Sequence, residues 1–86
     1  MPRDIEESRK KSRAKQLIDW RAVGRRIRQL RGFDMTQGHL AARIGVSQGH
    51  LSYIERGEKE IGAEILLRIS REFGKSLEWL LVGDDG

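Results

Sequence analysis

The chain has 86 residues, with 17 Lys or Arg against 13 Asp or Glu, two His and no Cys. That length allows one small domain with a modest core, and the absence of thiols excludes a disulfide framework and a thiolate metal site. No apolar run approaches the roughly 18 residues a membrane span requires and no signal-peptide pattern opens the chain, so a cytoplasmic protein without a membrane partner is expected.

Charge is unevenly placed along the chain. Residues 1–31 hold eleven Lys or Arg against four Asp or Glu, net +7, whereas residues 32–86 hold six against nine, net −3. A basic end suits a polyanion, because Lys and Arg displace counterions condensed on phosphates; a solvated tail that keeps a small domain in solution is the plainer reading. Residues 1–18 read as a basic N-terminal arm, since MPRDIEESRKKSRAKQ has too few apolar positions to bury a face.

A domain over residues 19–83 is expected to follow. Asp19 can cap a first helix to about Arg31, with Val23, Ile27 and Leu30 inward and Gly32 after its end. Next, QGHLAARIGVSQGHLSYIER, Gln37 to Arg56, carries two short helices over about 36–44 and 47–56. Thr36 and Ser47 are N-cap residues whose hydroxyls can take free amide donors. Gly45 stands where the first of these helices must stop, and a residue without Cβ enters the left-handed conformation cheaply. Ala41 keeps the crossing close, Val46 tucks into the angle, and Leu40, Ile44, Leu51 and Ile54 recur at core-facing spacing. Gln37, Gln48, Gly49, Ser52 and Tyr53 are left outside. Small and apolar residues at these offsets make the helix-turn-helix plan; an ordinary helical hairpin has no need of them together.

A fourth helix is expected over about Gly62 to Phe73, with Ile65, Leu66, Ile69 and Phe73 inward and Gly74 as its stop. Ser76 caps a short fifth, LEWLLV, ahead of Gly83, with Leu77, Leu80 and Leu81 inward; residues 84–86 form a tail. Trp20 is expected to pack against this last helix. Trp79 either joins Val82 in a dimer seam or covers the edge of its own core. No strand candidate interrupts the pattern, so the fold class is all-α.

TQGHLAARIGVSQGHLSYIERGEK followed by EILLRISREFGKSLEWLL resembles the phage-repressor and Cro-like (XRE-like) helix-turn-helix family of bacterial transcriptional regulators. The resemblance spans roughly residues 19–83 and implies a five-helix lambda-repressor-like domain that binds duplex DNA, commonly as a homodimer on a palindromic operator. It implies that Gln37 binds a backbone phosphate, which the free amides of a helix N-terminus also favour. It implies that Gln48 contacts bases, and its amide can meet adenine N7 and N6 bidentately. Gly49 stands where larger polar residues are usual and is read as allowing close approach of the backbone. Ser52 and Tyr53 can reach base edges, a thymine methyl or the sugar-phosphate wall. Glu55 is implied to pair with a basic residue of the first helix, with Arg28 and Arg31 as candidates; an exposed pair would contribute under about 1 kcal/mol.

Ser47, His50, Arg43, Arg56 and Lys59 are candidate backbone contacts, with solvated side chains as the plainer reading. In the arm, Arg9, Lys10, Lys11 and Arg13 are candidates to follow a phosphate backbone or enter a minor groove. His39 and His50 lie on different helices without carboxylate or thiolate neighbours, so neither a metal nor a cofactor is expected. No constellation for catalysis is present. The function expected is a sequence-specific double-stranded DNA-binding regulator, a repressor acting as a homodimer. The alternative is an antitoxin or other module that binds a protein partner and also represses its own operon.

Overall fold

The computed structural model describes residues 17–83. Those residues form five helices and no strand: α1 Trp20–Arg31, α2 Gln37–Ile44, α3 Gln48–Arg56, α4 Ala63–Phe73 and α5 Leu77–Val82. Four of the five starts are fixed by a side chain. Asp19 Oδ1 accepts from the amides of Arg21 at 3.1 Å and Ala22 at 3.2 Å. The hydroxyls of Thr36, Ser47 and Ser76 accept from the amides of His39, His50 and Trp79 at 3.0, 3.0 and 2.9 Å. Each such bond satisfies an otherwise orphaned donor and contributes about 1 kcal/mol. At α4 the cap is Gly62, which has no side chain to offer, so this helix begins at Ala63, one residue later than the sequence suggests.

Between α2 and α3, Gly45 takes φ 78° and Val46 donates its amide to the Ala41 carbonyl at 2.9 Å. The chain thereby turns within three residues. The core is built from one face of every helix: Val23, Ile27, Leu40, Ile44, Leu51, Ile69 and Leu80 are sealed from water. α3 packs on α1 and α2, α4 on α2, and α5 on both α1 and α4.

The tightest approach is between α1 and the end of α3. A Cβ placed on Gly24 would lie 2.4 Å from the Glu55 carbonyl oxygen and 2.8 Å from that of Ile54. A Cβ on Gly57 would meet the Arg21 Cα at 2.4 Å. Two glycines therefore let two backbones touch, a role that the sequence pattern did not reveal at Gly24.

Several apolar positions are less buried than expected. Leu30, Ile65, Phe73 and Leu81 are only half-buried, and Leu77 is 40% exposed. The reason at Leu77 is geometric: α5 has six residues, under two turns, and Leu77 stands at its first position, at the rim, whereas Leu80 lies one turn inside. Trp79 is half-buried against the molecule's own core, with Lys75 Nζ 4.7 Å from its ring centroid, while Val82 stays exposed. Trp20 is also half-buried against the core. Arg26 Nη1 donates to the Leu80 carbonyl at 2.9 Å and so ties α1 to α5.

The two kinds of helical glycine give opposite expectations. Gly24→Ala should lower stability by about 1–3 kcal/mol, although alanine favours helix, because the new methyl meets backbone. Gly49→Ala, which meets nothing within 4 Å, should raise it by up to about 1 kcal/mol. Urea denaturation of the two variants checks the sign of each.

Candidate nucleic-acid interface

The interface is organised around a buried acid. Glu55, in the last turn of α3, keeps only 4% of its side chain exposed. Arg31, closing α1, grips it with both ends of the guanidinium: Nε donates to Oε2 at 2.8 Å and Nη2 to Oε1 at 2.9 Å. Arg31 Nη1 also donates to the Met35 carbonyl at 3.1 Å. Arg31 is thus the partner and Arg28, the other candidate, points to solvent. The hydrogen bond to Glu55 holds the Arg31 guanidinium above its ordinary pKa against the opposing pull of burial, with charge attraction to Glu55 adding to it. The pair is far from the solvated contact that exposed charges would make. Burying two ions demands this bidentate geometry, since desolvation alone costs several kcal/mol.

Gln37 joins the same network. Its Nε2 donates to Glu55 Oε1 at 3.0 Å, so one amide hydrogen orients the side chain at the first position of α2 and the second remains for a ligand. Three helices and the α1–α2 loop are thereby fixed to one carboxylate. Beside them runs an open groove of about 620 Å³, lined among others by Arg28, Gln37, Gln48, Ser52 and Arg56.

The residues expected to read bases have distinct settings. Gln48 and Gly49 are exposed at the start of α3. Gln48 lies over the start of α2, where a Cβ on Gly38 would be 3.5 Å from its Oε1. Ser52 and Tyr53 are half-buried one turn on. The Ser52 hydroxyl accepts from Arg56 Nη1 at 2.9 Å; the same guanidinium pairs with Glu58 at 2.8 Å and lies 5.8 Å from the Tyr53 ring centroid. Arg56 is therefore held, although it still lines the groove.

Other candidates fall elsewhere. Arg43 is ion-paired with Glu72 of α4, stays half exposed and lies outside the groove. His50 lines a separate hollow with Ile65 and Arg68 beside the turn. Ser47 is exposed and its oxygen is committed to capping α3, and Lys59 is exposed beyond the end of that helix. Arg9, Lys10, Lys11 and Arg13 lie outside the described residues.

Comparison with known proteins matches this geometry. The family described as Helix-turn-helix matches residues 25–80. Two HTH-type transcriptional regulators from Archaeoglobus fulgidus are 31% and 33% identical over 61 residues, in each case across 70% of this chain and across 86% and 87% of the relative. The P22 c2 repressor protein, solved in complex with synthetic operator 9T, superposes with a TM-score of 0.67 at 38% identity over 72% of this chain and 96% of that one. The clp gene regulator ClgR from Corynebacterium glutamicum gives 0.68 at 32% identity, over 79% of this chain and 73% of its own.

Removing one member of the buried pair leaves the other uncompensated. Arg31→Met should cost about 3–5 kcal/mol in chemical denaturation. Combining it with Glu55→Leu should recover a large part of that loss, because no buried charge is then left alone.

Proposed function

Because the chain belongs to the helix-turn-helix family of transcriptional regulators, we propose that it represses transcription as a two-fold homodimer seated on a palindromic operator. The observation that carries this reading is the shared groove in which Gln48, at the start of α3, stands beside Gln37, at the start of α2. α3 enters the major groove, and Gln48 reads a base edge with Ser52 and Tyr53 one turn behind. The exposed Gly49 brings the α3 backbone close to the duplex. Gln37 spends its remaining amide hydrogen on a phosphate, supported by the free amides and partial positive charge of the α2 N-terminus. Arg56, which lines the groove, adds positive charge beside the same phosphate track.

The complex of the P22 c2 repressor with an operator supports duplex DNA as the partner. Leu77 and Val82, exposed on α5, supply an apolar seam for the second copy. Trp79 backs that seam from its own core. Two-fold pairing sets the half-sites about one helical turn apart, roughly 34 Å. Among the described residues no helix is long and apolar enough to cross a membrane; with DNA as its partner, the protein works in the cytoplasm. The basic segment of residues 1–16 adds contacts to phosphates.

The assignment of roles is tested by comparing affinity for a selected duplex with affinity for a scrambled one. Gln48→Ala should weaken the selected complex by about tenfold or more and leave the scrambled one nearly unchanged. Gln37→Ala should weaken both. Equal losses in the Gln48 variant would remove its base-reading role. Deleting residues 1–16 should flatten the dependence of log affinity on log salt, and an unchanged slope would remove the segment from the interface.

A further inference from the structure

We propose that Phe33, with Arg25 and Arg28, forms a second strip of DNA contact that holds the sugar-phosphate wall just outside the half-site. The inference rests on duplex DNA being the partner. Phe33 sits in the loop between α1 and α2 with a relative exposure of 106%, so its whole ring projects into water. Two residues on, Met35 packs against the core, and its carbonyl accepts from Arg31. The loop is therefore anchored on one side while its aromatic faces outward.

The surroundings of that ring are cationic. Arg25 and Arg28 lie three apart on α1, both exposed. Neither has an acidic partner among the described residues, whereas Arg31, Arg43, Arg56 and Arg68 are each ion-paired. Together with Gln29, Gly32 and Phe33 the two line a shallow hollow of about 640 Å³. This hollow adjoins the groove that holds Gln37 and Gln48, and Arg28 and Phe33 border both. Asp34 is the one acid in the loop and is exposed.

An occupant of this strip must offer apolar surface and negative charge together, continuous with whatever fills the groove. The backbone of a duplex does so, since deoxyribose C–H faces alternate with phosphates. An apolar protein surface would instead desolvate two unpaired guanidinium groups. Phe33 covers a sugar, and Arg25 and Arg28 take the phosphates on either side, in contacts that carry no base information.

The test uses the full chain and a selected duplex, either trimmed to the site or extended by half a helical turn on each side. The extended duplex should bind the wild-type chain about tenfold more tightly than the trimmed one, and Phe33→Ser should bring that ratio of affinities close to one. Arg25→Ala and Arg28→Ala should each lower the salt slope on the extended duplex by about 0.9. Arg71→Ala, an exposed cation on α4 that borders neither hollow, should not change it. Full gain in the Phe33 variant overturns the proposal. So does a fall in sedimentation mass on that substitution without DNA, which would assign the ring to a second copy of the chain. Duplex binding without any flank gain refutes this inference alone, whereas failure to bind any duplex refutes the functional reading with it.

Discussion

Glu55 is the one charged residue buried among those described, and the geometry of the proposed reading surface follows from how that charge is satisfied. The carboxylate is carried on α3, neutralised from α1 by Arg31, and reached from α2 by Gln37. These bonds fix the angle and the rotation of α3 against the rest of the domain, and so fix where Gln48 points. A hydrophobic cluster could hold the same helices together, but it would not orient a side chain at the start of α2. Dispersion and apolar burial have no preferred direction, whereas a bidentate guanidinium does.

The close passage of α1 over α3 serves the same end. Only with glycine at 24 can the α1 backbone come against the Glu55 carbonyl, and that approach brings Arg31, two turns later, within hydrogen-bond range of the Glu55 side chain. Packing and polar geometry here are one constraint. The remaining cations then divide by task. Arg26, Arg43 and Arg68 bind carbonyls or carboxylates that join helices or brace one, and of the cations left without acidic partners Arg25 and Arg28 are the ones beside the groove. A surface with unsatisfied positive charge at its rim and neutral polar groups at its centre is what a duplex requires, because phosphates supply affinity and base edges supply choice.

Much of this was legible in the order of residues. N-caps at Asp19, Thr36, Ser47 and Ser76, and stops at Gly32, Gly45, Gly74 and Gly83, are local effects, decided within a few residues and therefore readable from them. The inward faces of α2 and α3 were also clear, since three- and four-residue spacing is a helix property. Long-range choices were not. Arg28 and Arg31 are equivalent on spacing, and only the register of α1 on α3 selects Arg31. The partner of Arg43 is Glu72, nearly thirty residues away, and no local spacing announces it. Gln37 was read for its place at a helix start, and its bond to Glu55 depends on a tertiary contact. Leu77, Leu80 and Leu81 share one face at three- and four-residue spacing, but in a helix of six residues only Leu80 is sealed. Phe33 carried no periodic signal, being in a loop.

In the proposed complex α3, oriented by Glu55, discriminates among duplex sequences. The most direct measurement is selection of bound duplexes from a random-sequence library by the full chain, with the affinity of the enriched sequence then compared with that of its scramble across salt concentrations. The expected result is a palindrome with half-sites about one helical turn apart and a preference of about a thousandfold or more over the scramble. Salt-sensitive binding with no enriched sequence would contradict it, and would leave a basic protein that holds DNA without reading it.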